Sequence, residues 1–389
     1  MAKFLETLKK HAMLIVLVLV YIFFTVRTNG LMFSPLNFNA LITQNAYVFI
    51  LATGMLMCML TGGNIDLSCG SFVCFLGAVG GIVAVTKGMG AGASIFLMLI
   101  IGIVYGCVLG FLVAYVNIPP WIATLAGYLA FRGWGTALLS ENSDTGSIGP
   151  FPKSFLQIFS GKLFETKINE LNMVCLTVGI IASVIVIAVN FIGRANKLKK
   201  GYEAESLISV IVRSVLSAGV IILFAYKLAM AGGIPTVLVW VVAIVLIYSF
   251  ITSKTTLGRY FYTIGGNKEA TRLSGVDTKK IMFFAYLNMA VLTVITSYIV
   301  VARFQAANST AGTYYEMDAI AACVVGGVSA YGGSGSVFGM VVGATLIGVI
   351  NLGMQLTGVD ADWQKIVKGA VLLGAVVFDI MAAKKSSSK

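Results

Sequence analysis

The stretch from Ala40 to Thr86, ALITQNAYVFILATGMLMCMLTGGNIDLSCGSFVCFLGAVGGIVAVT, decides how the chain reads. Two apolar runs, 40–60 and 68–86, have the length of roughly 20 residues that crosses a bilayer core. The joint between them has no room for a soluble loop, yet it carries Asn64 and Asp66, with Ser68 and Ser71 just beyond. A carboxylate in such a place is costly unless it is paired or hydrated. Gly62 and Gly63 permit a sharp turn or a helix break. Asp66 and Ser68 can each cap the helix that follows. Two readings stand side by side. One is a capped hairpin at the membrane edge. The other is a broken helix beside a transport path, where Asn64, Asp66, Ser68 and Ser71 would meet a hydroxyl-rich solute.

The same pattern extends over the whole chain. Of 389 residues, 58% are hydrophobic and 11% charged, and mean hydropathy is +0.95. A soluble domain carries about 25% charged residues, so a soluble globular protein is excluded. Apolar runs near 12–26, 40–60, 68–86, 91–116, 121–139, 171–192, 207–230, 235–252, 281–304, 317–331, 337–357 and 365–382 predict an all-α polytopic membrane protein. The expected fold is a bundle of about 10–12 transmembrane helices with broken or re-entrant segments; the first and tenth runs are short. Residues 1–389 read as a single transmembrane domain. It has a polar, then amphipathic outer loop at 140–170, an inner loop at 253–280 and a tail at 383–389. Glycines four apart, Gly102/Gly106/Gly110, Gly77/Gly81 and Gly339/Gly343, form smooth ridges for close helix packing.

Lys and Arg number 27 against 15 Asp and Glu, a net charge of +12. With the N-terminus inside, segments 1–11, 193–213, 253–280 and 383–389 hold 17 of the 27 cations. That bias predicts a multi-pass protein of the inner membrane with both termini cytoplasmic and basic loops on anionic lipid. Nucleic acid is not an expected partner, since no binding module is present. Lys3, Lys9 and Lys10 precede the first apolar run without a small-residue cleavage site, which reads as an uncleaved span. The six cysteines lie in or beside apolar runs without a CxxC pair, and the single histidine is His11. They read as buried apolar side chains, with no metal site.

Three further segments carry chemistry. Glu316 and Asp318 enter an apolar helix, followed by Gly326-Gly327 and by Tyr331-Gly332-Gly333-Ser334-Gly335-Ser336. This loosely echoes the first motif and suggests an internal repeat. The run does not match G-x-x-x-x-G-K-[ST], so the chain has no ATP-hydrolysing loop of its own. In the inner loop, Asn267 can cap a short helix 268–274 with Glu269 in its first turn and Gly275 at its stop. Gly265-Gly266 form a flexible entry to it. A loop merely resting on lipid needs Lys and Arg but no capped helix, so docking to a cytoplasmic partner is the better reading. Pro119-Pro120 separates two spans, Trp121 and Trp134 suit interfacial belts, and Arg132 reads as a snorkelling cation.

These residues resemble a known family. GGNIDLSCGS is similar to the G-G-x-D-L-S-x-G-S signature of bacterial ABC sugar-importer permeases of the ribose/galactose/xylose type. GRYFYTIGGNKEATRLSGVDT resembles that family's coupling loop, and EMDAIAACVVGGVSAYGGSGSVFG its later DAIAAVVIGG…GGxGx block. Cys69 stands where the family often has Val. The segment 193–213 and its flanking runs resemble the longer xylose or multiple-monosaccharide branch. The resemblance implies a non-enzymatic permease subunit moving a pentose or hexose by alternating access. It implies a cytoplasmic ATPase as partner, carrying ATP and Mg, with no cofactor on this chain. A periplasmic or lipid-anchored sugar-binding protein and a permease homodimer complete the set. Gly265, Gly266, Asn267, Lys268, Glu269, Ala270, Thr271, Arg272, Gly275 and Val276 then become ATPase contacts. Asn64, Asp66, Ser68, Ser71, Glu316 and Asp318 become candidates for lining the path or holding the broken helices.

Two rivals differ in mechanism. An ion-coupled secondary sugar transporter would use Asp66, Glu316 and Asp318 as proton carriers and would not need the docking helix. A membrane-embedded transferase needs a base, nucleophile or metal in useful geometry. His11 alone near the terminus and Asp360/Asp362 in an outer turn do not provide it.

Overall fold

Helix starts in this chain are set by caps of the expected kind. Ser34 accepts the Asn37 N–H ahead of Pro35, and Asn172 accepts from Val174 and Cys175. A computed structural model describes residues 12–163, 167–168, 171–202 and 205–387. The basic segment 1–11 with His11, and the last two residues of the tail, lie outside the described residues.

The helices are α1 (Ala12–Arg27), α2 (Pro35–Leu60), α3 (Cys69–Gly81, extended by a π turn Ile82–Thr86), α4 (Gly90–Ala114) and α5 (Pro120–Asn142). Next come α6 (Lys153–Ser160), α7 (Met173–Lys199), α8 (Leu207–Met230), α9 (Thr236–Lys254), α10 (Thr256–Gly266) and α11 (Lys268–Leu273). The chain closes with α12 (Thr278–Phe304), α13 (Tyr315–Val325), α14 (Val337–Leu356) and α15 (Ala361–Ser387). Every apolar run of the sequence has become a helix. Among the described residues eight are long and apolar enough to cross a membrane: α2, α3 with its π turn, α4, α7, α8, α9, α12 and α14. The remaining four runs are the short α1, the more polar α5 and α15, and α13. The last ends at Val325 because Gly326 and Gly327 follow, Gly327 with φ +81°.

Burial separates inner helices from outer ones. In α2 and α14, 78% of the apolar window is buried inside the protein, against 17% in α7 and α8. An all-round apolar helix that is not buried by protein faces lipid. The core therefore centres on α2 and α12, with α3, α13 and α14 packed against them. α7 and α8 form a peripheral hairpin closed at Gly179 against Ala225 and by Asn190 Nδ2 donating to Ser214 Oγ at 3.1 Å. It meets the body through the edge-to-face pair Phe38–Phe224.

The two ends of the bundle differ. One carries α10 and α11 and is called the loop end here. The far end is tied by antiparallel ribbons: β1 (Ser147–Ile148) with β6 (Ala307–Asn308), and β2 (Lys162–Leu163) with β5 (Ile234–Pro235). A third ribbon pairs β3 (Lys167–Ile168) with β4 (Leu171–Asn172). The amphipathic α6 buries Phe155 and Phe159 there. Five cysteines are buried and Cys107 is half-buried, all as free thiols.

The glycine ridges are contact surfaces, as expected. A Cβ at Gly102 would stand 2.1 Å from Val294 Cγ2, one at Gly106 2.8 Å from Ala290 Cβ, and one at Gly110 2.8 Å from the Phe283 carbonyl. α4 thus lies with its backbone against α12. Gly106→Leu is expected to lower the thermal midpoint of the detergent-purified protein by an overpacking cost of about 1–3 kcal/mol or more. Gly92→Leu, on the same helix with open space around it, should leave the midpoint unchanged. Thermal unfolding with a fluorescent thiol or light-scattering readout checks both.

Candidate functional site

α3 and α13 both begin in the middle of the bundle, and their N-terminal ends meet. A Cβ at Gly70 would be 2.4 Å from the Gly312 carbonyl and 2.1 Å from Glu316 Oε2. A Cβ at Gly312 (φ +74°) would be 1.9 Å from the Gly70 carbonyl. From this crossing α3 runs to the far end, where Gly81 touches Ile148 and Ala307, while α13 runs to the loop end. Two broken helices therefore point their positive ends at one another, with Glu316 in the first turn of α13 and beside the first turn of α3. Arg132 fixes this junction. Its Nη1 donates to the Ser309 and Ala311 carbonyls at 3.2 and 3.0 Å, in the re-entrant segment 305–314. It does not snorkel to the membrane surface as expected, because two orphaned carbonyls of a re-entrant loop lie within its reach.

The candidates from the first motif separate. Asp66 is 1% exposed, and its Oδ1 accepts from Ser68 N at 2.8 Å and Ser68 Oγ at 2.5 Å. Tyr105 in turn donates to Ser68 Oγ at 2.7 Å. Asp66 thus holds the start of α3, whereas Ser68, at the cap position, makes no side-chain cap. Its hydroxyl is engaged by Asp66 instead. Ser71 is fully buried, and its Oγ has no hydrogen-bond partner among the described residues. Asn64 lies apart, at the loop end, donating to Thr61 O and Oγ1 at 3.2 and 3.0 Å. Glu316 and Asp318, two residues apart on α13, face different neighbours. Glu316 faces Gly70. Asp318 faces α15 and α2, accepting from Lys368 Nζ at 2.9 Å and Tyr47 OH at 2.5 Å.

At the loop end three backbones interlock. Gly333 N donates to the Leu60 carbonyl, the last residue of α2, at 3.1 Å. A Cβ at Gly265 would stand 2.0 Å from that carbonyl and 2.3 Å from Gly333 N. One at Gly63 would stand 2.1 Å from the Ala330 carbonyl, and one at Gly332 2.5 Å from Gly62. Tyr262 adds a hydrogen bond to the Gly335 carbonyl at 3.1 Å. The end of α10, the loop before α3 and the loop after α13 are thereby one joint. Gly265-Gly266 are not a loose entry: they complete α10, and Gly265 is wedged because nothing larger than hydrogen fits. A cavity of about 460 Å3 opens beside the joint, lined by Asn64, Asn117, Pro119, Gly266, Asn267 and Lys268 among others.

From the joint hangs α11. Asn267 Oδ1 accepts the Ala270 N–H at 2.9 Å, and Gly275 (φ +89°) turns the chain, as the sequence predicted. Thr271 is buried and bonds back to the Asn267 carbonyl at 2.8 Å, and Val276 is half-buried. Lys268, Glu269, Ala270 and Arg272 are exposed, and Leu273 is 76% exposed. Glu269 and Arg272 pair at 2.5 Å, and the Arg272 hydrogen bond holds the Glu269 carboxyl below its ordinary range. The Lys280 N–H does the same for Asp277, the cap of α12. Both carboxylates therefore stay ionised at neutral pH, and this charge pattern is lost only when acid reaches below the carboxylate range.

Sequence reading passed over Tyr47, Tyr105 and Lys368. Lys368 falls inside the expected run 365–382, and a cation within such a run calls for a buried partner.

A profile of the family described as "Branched-chain amino acid transport system / permease component" matches residues 37–376. The xylose transport system permease protein of Haemophilus influenzae is 34% identical over 386 residues, covering 97% of this chain and 98% of that one. The xylose transport system permease protein of Escherichia coli K12 is 32% identical over 385 residues, covering 97% and 93%. The ribose import permease protein of the same strain is 31% identical over 373 residues, covering 96% and 94%. No solved structure matches.

The buried pair makes a testable statement. Lys368→Met removes the cation from the buried Asp318, leaving it only the Tyr47 hydroxyl, and is expected to cost about 3–5 kcal/mol of stability. The double variant Lys368→Met/Asp318→Asn should regain most of it. Thermal unfolding of the four proteins of this cycle reads the coupling.

Proposed function

The chain belongs to this permease family, and we propose that it is the membrane subunit of an ATP-driven importer of a monosaccharide, a pentose or hexose of the xylose kind. The observation that carries the proposal is the joint at the loop end. α11 displays its outer surface to solvent yet is anchored, through Gly265, to the loops that precede α3 and follow α13. A partner that pushes or pulls on α11 moves the ends of both broken helices together.

The partner is a cytoplasmic ATPase that holds ATP and Mg; this chain carries neither. A periplasmic or lipid-anchored sugar-binding protein delivers the solute to the far end, and two copies of the permease enclose the path. Six cations in 253–280 support a cytoplasmic loop end. The termini share that side if all twelve helical runs alternate. ATP and delivered sugar then bias the same two-state element, which is the condition for coupling. The names of the relatives support sugar as cargo. An ion-coupled carrier is not favoured, since such a carrier has no use for an exposed, capped helix on a rigid joint.

Reconstitution with the ATPase and binding protein tests the reading. ATP-dependent uptake of labelled xylose or a related sugar is expected, and Glu269→Arg or Gly275→Pro should reduce it at least tenfold, a loss of about 1.4 kcal/mol or more in coupling. Insertion into the membrane should be unaffected. Uptake driven by an ion gradient with no ATPase present would overturn the proposal.

A further inference from the structure

The far end of the bundle holds a cavity that neither the joint nor the helix crossing uses. It measures about 270 Å3 and lies between α2, α12, α14 and the start of α15. Small-molecule sites begin at about 300 Å3 for drug-sized ligands, so this space suits a smaller solute. Its walls include Asn45, Tyr47, Arg303, Asn351, Gln355 and Gln364, and among the described residues no carboxylate lines it. Polar walls of this density are unusual within an apolar bundle, where each uncompensated amide costs free energy.

The polar groups are only partly satisfied from within. Asn351 is 8% exposed, and its Nδ2 reaches Asn45 Oδ1 at 3.4 Å. Its Oδ1 has no hydrogen-bond partner among the described residues. Asn45 is occupied in holding the Leu41 and Gly348 carbonyls at 3.0 and 3.5 Å. Close packing supports this arrangement: a Cβ at Gly348 would sit 3.2 Å from Asn45 Cβ. Arg303 gives one hydrogen bond, to the Gln44 carbonyl at 3.4 Å, and has no carboxylate partner among the described residues. Tyr47 and Tyr315 stack at 3.7 Å and form an aromatic wall.

Charge and donor balance define the ligand. Lys368 borders the cavity, but Asp318 meets its charge at 2.9 Å. Among the described residues that leaves Arg303 as the one cation beside several amides. An amide side chain both gives and accepts hydrogen bonds, and a hydroxyl does the same. A solute carrying many hydroxyls can donate to the amide oxygens of the wall and accept from the Arg303 fork at once. An anion would satisfy the fork and leave the amide oxygens of the wall facing negative charge.

We propose that this cavity is a docking site for a neutral monosaccharide inside the permease, at the end of the bundle opposite α11. The proposal rests on the importer reading above and adds the place and the groups that receive the sugar. Affinity is low, because the Asn351 and Arg303 contacts are few and the solute must leave again. Tyr47 joins the site to the Asp318–Lys368 pair, so a bound sugar touches the same network that positions α13.

The test uses the full permease, with its ATPase and binding protein, in proteoliposomes. Gln355→Cys places an exposed thiol at the mouth, to be labelled with a membrane-impermeant maleimide and measured against the natural cysteines as background. The probes are D-xylose, D-ribose, D-galactose and D-fructose, with D-gluconate as the anionic comparison. Slowing of labelling several-fold by at least one neutral sugar, and not by gluconate, is expected. Adding Asn351→Leu to Gln355→Cys should remove that protection while the thiol still reacts. Protection by gluconate alone, no protection by any sugar, or protection that survives Asn351→Leu would each overturn the assignment. Uptake by the wild-type importer is recorded beside it. Uptake without protection sinks the docking site and leaves the importer; no uptake of any sugar sinks the importer reading itself.

Discussion

The architecture depends on backbone meeting backbone without a side chain between. At the loop end, Gly63, Gly265, Gly332 and Gly333 let the end of α2, the end of α10 and two re-entrant loops occupy space that any Cβ would deny them. Inside a bilayer such irregular backbone is tolerated only where protein covers it and satisfies its polar groups. Here the Gly333 N–H finds the Leu60 carbonyl and the Tyr262 hydroxyl finds the Gly335 carbonyl. The contact is therefore both tight and polar, which makes it stiff. Stiffness at that place joins an exposed helix to the bundle's interior.

The second consequence lies mid-bundle. α3 and α13 each start after a glycine-bearing loop, run in opposite directions and touch at Gly70 and Gly312. This is the arrangement of inverted half-helices that places helix N-termini near the middle of a transport path. Glu316 stands where the two positive ends meet, and Asp66 holds the start of α3 through Ser68. Asp318 ties α13 to α2 and α15 through Tyr47 and Lys368.

Much of this was readable in the residues, for identifiable reasons. Apolar runs fix helices because length and hydropathy are local properties, and each of the twelve runs became one. Asn267, Glu269 and Gly275 announced α11 because caps and left-handed turns are chosen within a few residues. The ridge Gly102/Gly106/Gly110 predicted a close neighbour but not that it would be α12. Long-range pairings left weaker traces. Nothing in the order of residues says that Gly265 meets Leu60, that Arg132 clasps Ser309 and Ala311, or that Lys368 reaches Asp318. Such partners are set by how helices pack, and a lone charge in an apolar run signals only that a partner exists. The peripheral α7–α8 hairpin adds lipid-facing surface outside the α2/α12 core.

The joint at Gly265 and Gly333 predicts that α10, the loop 329–335 and α13 move as one body when an ATPase acts on α11. Spin labels at Arg259→Cys on α10 and Tyr331→Cys in the loop, both exposed positions, measure the first distance in the reconstituted complex. Labels at Tyr331→Cys and Thr310→Cys measure the second, from the joint to the re-entrant segment. Between nucleotide-free and ATP-trapped states, the 259–331 distance is expected to stay fixed while the 310–331 distance changes. A 259–331 distance that shifts while 310–331 stays still would contradict it.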